Sequence, residues 1–129
     1  EFQDFLIQPF IHSILKDGEI SCIFFRDTFS HSVRKIPSPN NYFYHDRVSL
    51  IRVPPEALLL AKKTLNAAYQ ILNLPNKTCL YARVDLLGND KEGYFISELE
   101  LIEPDLFLQY KKNGFITFAD EIIKTLTYT

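Results

Sequence analysis

Two β-rich runs closed by a polar loop constrain this chain more than any other feature. Thr78–Leu87 and Tyr94–Ile102 are rich in β-branched, aromatic and aliphatic residues, and Gly88-Asn89-Asp90-Lys91-Glu92-Gly93 separates them. This pattern predicts a β-hairpin. If Leu87 pairs with Tyr94, then Asp85 stands opposite Ile96, Arg83 opposite Glu98 and Tyr81 opposite Glu100. Side chains alternate faces along a strand. Tyr81, Arg83, Asp85, Glu98 and Glu100 are therefore expected on one face, and Ala82, Val84, Leu86, Phe95, Ser97 and Leu99 on the other, core face.

Three carboxylates on neighbouring positions repel one another, and one guanidinium cannot neutralise them all. A hard divalent cation relieves the repulsion. Mg²⁺ is held by one or two carboxylates together with substrate phosphates and water. An arginine beside it would grip a phosphoryl group through paired hydrogen bonds. The pattern points to a Mg-nucleotide phosphate site at Asp85, Glu98 and Glu100, with Arg83 next to it. The competing reading of the same residues is a solvated sheet face carrying charged cross-strand pairs.

The rest of the chain fits around this hairpin. Asp4–Gln8 reads as a short strand, and Lys16-Asp17-Gly18 as a turn. Glu19–Arg26 and Phe29–Ile36 read as a second hairpin, turning at Asp27-Thr28. Pro37–Asn41 is a breaker cluster, and Arg47–Val53 a short strand. Pro54-Pro55 opens a helix whose apolar stripe is Leu58, Ala61, Leu65, Ala68 and Leu72. Leu74-Pro75-Asn76 ends it. Pro104–Tyr110 reads as a turn or short helix, and Ala119–Leu126 as a final helix. The order implies one α+β domain with a mainly antiparallel sheet and flanking helices.

Several function classes are excluded. The 129 residues suit one domain. Fourteen Lys+Arg against sixteen Asp+Glu leave a net charge of -2, which argues against nucleic acid as a partner. No apolar run approaches the roughly 18 residues of a membrane span, and no signal peptide is visible at the start. Cys22 and Cys79 lie in apolar, strand-like segments. They read as buried free thiols of a reducing, cytoplasmic compartment. His12, His31 and His45 show no metal-ligand spacing and read as surface or edge residues.

The string LYARVDLLGNDKEGYFISELELIEPDLFL resembles the C-terminal part of ATP-grasp enzymes. There, a strand with Arg-x-Asp is followed by a hairpin strand with Glu-x-Asn or Glu-x-Glu. Arg83-Val84-Asp85 and Glu98-Leu99-Glu100 match, and Glu103-Pro104 follows. The ELELIEP version resembles a bacterial subgroup near prokaryotic glutathione synthetase and related carboxylate–amine ligases. FLIQPFIHSILKDGEISCIFF is similar to the family's hinge strand, turn and next strand, and SHSVRKIPSP to the strand after it. The likeness runs from about Phe5 to Leu108 and makes residues 1–129 a C-terminal ATP-grasp subdomain.

The resemblance implies two cofactors, ATP and Mg²⁺. The backbone of Gln8, Phe10 and Ile11 would pair with the adenine edge. Glu19 would bind the ribose hydroxyls, and Arg34 or Lys35 would face phosphate or substrate. Asp85, Glu98 and Glu100 would hold two Mg²⁺ ions, with Arg83 as the catalytic cation. The implied reaction joins a small carboxylate to an amine or thiol through an acyl phosphate. Relatives of this subgroup carry an Arg-containing segment and then Gly-Gly where Asn40–Val53 has no Gly. An altered substrate loop is expected, with Arg47 in place of the substrate arginine. A non-catalytic module with an acidic sheet face and a degenerate ATP-grasp protein are the alternatives. The chain begins with Glu1 and contains no Met, so a fragment is expected, with the N-terminal and central subdomains of the same protein as its missing partner.

Overall fold

Glu19–Phe25 (EISCIFF) combines β-branched and aromatic residues with almost no polar interruption, as expected of a strand covered on both faces. It is the central strand of the sheet, and all seven of its residues are buried. The computed structural model describes residues 7–38, 41–75 and 79–127, with the backbone alone for 41–46. A single turn of helix, α1 (Ile14–Asp17), leads through Gly18 into β1 (Glu19–Phe25). Then follow β2 (Thr28–Ser38), β3 (Asn41–Ile51), α2 (Pro55–Ile71), β4 (Tyr81–Asn89) and β5 (Gly93–Glu100). A 3₁₀ turn at Leu108–Tyr110 precedes α3 (Gly114–Thr127). The sheet order is β3-β2-β1-β4-β5, and every neighbouring pair is antiparallel. The expected α+β class with an antiparallel sheet is the observed one.

Helix α2 covers one face. Its buried residues Ala57, Ala61, Leu65 and Tyr69 recur every four positions and pack on Ile20, Cys22, Phe24, Val84 and Leu86. The other face is divided. At one end Ile23, Phe25 and Val33 lie under Leu106 and Phe107, with Phe118 of α3 stacked on Phe25 at 5.3 Å between centroids. At the other end the same face carries Glu19, Lys35, Arg83 and Asp85, all buried.

Several expectations change. The centre of the expected α2 stripe, Ala61 and Leu65, is in the core, but at its ends Ala57 and Tyr69 are buried and Leu72 is exposed. β2 runs through Pro37 to Ser38 instead of stopping before the proline. Register shifts on either side of Pro37 accommodate a residue with no N–H to donate. β3 and α3 begin earlier than expected, at Asn41 and Gly114. Ile7 and Gln8 are not in a strand, and the rest of the expected first strand lies outside the described residues. The chain turns at Arg26-Asp27, where Arg26 adopts φ 56°.

His31, expected at the surface, is buried. Its Nε2 lies 3.0 Å from the Leu106 carbonyl and its Nδ1 3.0 Å from Ser30 Oγ. A neutral ring satisfies both, with Nε2–H donating to the carbonyl and Nδ1 accepting from the hydroxyl. His12 is exposed, and the side chain of His45 lies outside the described set. Both cysteines are free, Cys22 buried and Cys79 half-buried. Burial and the nearby Asp85 carboxylate push the Cys22 thiol up to about 12, which keeps it protonated.

Candidate metal and nucleotide site

The site is assembled by pairing across four strands. Ser21 in β1 faces Val33 in β2 and Asp85 in β4, and Asp85 faces Glu98 in β5. One row over, Arg83 sits between Ile23 and Glu100. Glu19 pairs with Lys35 at the end of β1. Positions two apart share a face, so Lys35, Glu19, Arg83, Asp85, Glu98 and Glu100 converge.

The hairpin register differs from the expected one in two steps. At the tip, Leu87 pairs with Phe95 and Leu86 with Ile96; a bulge then leaves Ser97 unpaired, and Asp85 meets Glu98 instead of Ile96. Arg83 meets Glu100 instead of Glu98. The two one-residue slips add to two, so the face is kept while the partners change. Above the bulge the faces are exchanged. Tyr94 packs in the α2-side core, and Phe95 stands beside Leu87 on the charged side of the sheet.

Asp85 is wholly buried and held from two sides. Lys35 Nζ donates to Oδ2 at 3.0 Å, and Arg83 Nη2 donates to the same oxygen at 2.9 Å. Arg83 Nε reaches Oδ1 at 3.0 Å. Lys35 also pairs with Glu19 at 2.5 Å. Arg83 pairs with Glu100 and lies 3.7 Å from Glu98. Four carboxylates and two cations leave the cluster two negative charges in excess. Glu98 carries the consequence: partial burial, a hydrogen bond with Glu100 and the charges of Asp85 and Glu100 all raise its pKa above the usual carboxylate range.

Carboxylate oxygens of Asp85, Glu98 and Glu100 lie within 4.8 Å of one another. Hard oxygen donors and an excess of two negative charges suit a divalent cation such as Mg²⁺. Burial differs along the set: Asp85 is sealed, Glu100 half-exposed and Glu98 open to solvent.

Next to the carboxylates on the same side of the sheet is a cavity of about 300 Å³ lined by Gln8, Pro9, Ile11, Leu87, Phe95, Ile96 and Ser97. Gln8 and Ile11 thus meet the hairpin there, while Phe10 is exposed and outside the lining. Glu19 and Lys35 lie with the metal-type cluster and not in this cavity. Arg34 and Lys35 separate by strand alternation: Lys35 is in the cluster, and Arg34, paired with Ile20, is on the α2 side. Arg47 is exposed on β3.

Some residues that shape the site were not singled out from sequence. Leu87, Phe95, Ile96 and Ser97 line the cavity because of the bulge, which alternation alone does not reveal. Asp105 and Phe107 hold Arg83: its Nη1 donates to the Asp105 carbonyl at 3.4 Å, and its guanidinium lies 5.9 Å from the Phe107 ring centroid. Asp105 Oδ1 in turn accepts from Phe107 N–H at 2.8 Å, with Phe107 at φ 50°. The available signal was Pro104-Asp105, a turn pair directly after the acidic strand.

No protein-family model matches the chain. The cycloserine biosynthesis protein DcsG of Streptomyces lavendulae is 25% identical over 128 residues, covering 94% of this chain and 42% of that protein. The crystal structure of D-cycloserine synthetase DcsG superposes with a TM-score of 0.81 at 26% identity, over 92% of this chain and 41% of that one. D-alanine–D-alanine ligase from Bacillus anthracis, complexed with ATP, gives a TM-score of 0.55 at 22% identity over 83% of this chain and 37% of that one. The ATP-grasp ligase PsnB, complexed with a precursor variant, Mg and ADP, gives 0.53 at 14% identity over 86% of this chain and 34% of that one. The chain carries the ATP-grasp superfamily fold. The chain spans about two-fifths of the length of the DcsG relative it matches. No helix among its described residues is long and apolar enough to cross a membrane.

Proposed function

We propose that this ATP-grasp chain is the metal-bearing, C-terminal part of an ATP-dependent ligase that joins a carboxylate to an amine or thiol. The observation that carries this reading is the convergence of Asp85, Glu98 and Glu100 within 4.8 Å beside Arg83. The fold it shares with ligases, one of them complexed with ATP and another with Mg and ADP, supports it.

In this reading the cavity between Gln8, Ile11 and Phe95 takes the adenine, and the phosphates run along β4 toward Asp85. Asp85, Glu98 and Glu100 would hold Mg²⁺, which when bound supplies charge neutralisation on the phosphates. Arg83 is fixed by Asp85, Glu100 and the Asp105 carbonyl, so its guanidinium meets an incoming phosphoryl group already oriented. Lys35, 3.0 Å from Oδ2, holds the Asp85 carboxylate in place. The substrate carboxylate attacks the γ-phosphorus, the bond to the ADP oxygen breaks, and an acyl phosphate forms. The amine or thiol then attacks the acyl carbon, phosphate leaves, and the nucleophile gives up its proton. The other wall of the site belongs to the remainder of the protein.

The test uses the full-length protein, with Mg²⁺-dependent ADP release followed for candidate carboxylates. Asp85→Ala and Glu98→Ala are expected to abolish both Mg-ATP binding and ADP release. Normal ligation with both carboxylates removed would sink the proposal. Absence of nucleotide binding in the intact protein would instead favour a non-catalytic module with an acidic face.

A further inference from the structure

A larger cavity lies at the opposite end of β2 from the carboxylate cluster. It has a volume of about 620 Å³ and is walled by the ends of β2 and β3, the first turn of α2 and the segment after the 3₁₀ turn. His31 and Lys35 are four residues apart on β2, about 13 Å along the strand, so the two sites do not overlap. Most of the wall is apolar, with Phe29, Leu50, Ile51, Val53 and Leu58 contributing. The volume is that of an ordinary small-molecule pocket.

The polar groups in the wall sort into two kinds. The neutral ones are already engaged. Ser30 Oγ serves His31, His31 serves the Leu106 carbonyl, and Ser32 Oγ donates to the Ile51 carbonyl at 3.0 Å. The charged ones are Arg52, Lys111 and Lys112, and among the described residues no carboxylate lines the cavity. Lys111 Nζ donates to Ser30 at 2.9 Å, which leaves an N–H to spare. Arg52 and Lys112 are exposed at the rim and form no ion pair among the described residues. An apolar wall with closed neutral hydrogen bonds and three cations selects an occupant with an apolar body and a single anionic group.

We infer that this cavity is a second ligand site, for a small amphipathic anion such as a medium-chain or aryl carboxylate, separate from the Mg-nucleotide cluster. The apolar body lies against Leu50, Val53 and Leu58, and its anionic end meets Arg52, Lys111 and Lys112.

Calorimetric titration of the full-length protein with octanoate, and in parallel with octanol, tests this. Octanoate is expected to saturate one site per chain, octanol to bind far more weakly, and Mg-ATP not to displace octanoate. Reversing the two exposed rim charges together, Arg52→Glu with Lys112→Glu, is expected to weaken octanoate binding by about tenfold or more. Leu50→Asp, at a half-exposed wall position, is expected to do the same without unfolding the chain, as checked by circular dichroism. No saturable octanoate binding, equal binding of octanol, indifference to the charge reversal, or displacement by Mg-ATP would each overturn the inference.

Discussion

Lys35 Nζ bridges two carboxylates from different strands, Asp85 at 3.0 Å and Glu19 at 2.5 Å, and all three side chains are buried. A buried charge that loses its partner costs far more than an exposed one, because neither water nor a counter-ion replaces the lost contact. Lys35→Met is expected to destabilise the protein by about 3–5 kcal/mol. Chemical denaturation gives the value. A loss within the range of a surface ion pair would show that Asp85 relies on Arg83 alone.

The carboxylate cluster links cation binding to stability. Mg²⁺ is expected to raise the unfolding free energy by about 2.7 kcal/mol at a hundredfold excess over its dissociation constant, and the melting midpoint with it. Glu98→Gln removes one donor and part of the repulsion. It is expected to raise stability slightly in the absence of Mg²⁺ and to diminish the Mg²⁺ increment. Thermal melts of the two proteins with and without the ion read both effects.

His31 makes the fold sensitive to acid. Burial, together with the charge of Lys111, lowers its pKa, while its bonds to the segment at Leu106 and Phe107 oppose the shift. A lowered folded value means that the unfolded chain binds more protons in this range, so stability rises with pH. The His31 contribution is complete above the ordinary value of 6.5 and is lost as pH falls toward the lowered folded value. Denaturation midpoints at about pH 8 and pH 5 should differ, and His31→Gln should reduce the difference. An unchanged difference in the variant would assign the acid sensitivity to other groups.

Three glycines with positive φ separate backbone strain from steric conflict. A Cβ on Gly93 (φ 83°) meets nothing within 4 Å, whereas one on Gly88 (φ 111°) runs into the Gly93 carbonyl and one on Gly18 (φ 72°) into the Lys35 carbonyl. Gly93→Ala should cost only the left-handed backbone penalty of about 1–2 kcal/mol. Gly88→Ala and Gly18→Ala should cost more. Gly18→Ala should in addition weaken Mg²⁺ binding, because it presses on the strand that carries Lys35. Equal losses at all three positions would contradict this ordering.

Much of the architecture was legible in sequence because its signals are local. EISCIFF announces a buried strand, Pro54-Pro55 a helix start, and the two runs around Gly88–Gly93 a hairpin. The grouping of Arg83, Asp85, Glu98 and Glu100 also came through, since period two survives a slip of two residues. The individual partners did not, because a bulge at Ser97 leaves no mark in the pattern of apolar residues. His31 was misplaced for a related reason. Its burial is made by Leu106, 75 residues away in sequence, and no local window contains that contact. Arg34 and Lys35 were equivalent as letters and became distinct only when strand phase put one on each side of the sheet.

Ser97 acts as a shift of structural reading frame. From the tip, where Asn89 meets Gly93, a regular ladder would carry Val84 to Glu98 and Arg83 to Leu99, driving an acid into the α2-side core. The extra residue resets the count, so that one strand lines an apolar cavity before the bulge and presents two carboxylates after it. Deleting Ser97 alone would alter no charged residue, yet it would turn the carboxylates of β5 away from Asp85. The acidic cluster is thus encoded as much by the length of this strand as by its acids.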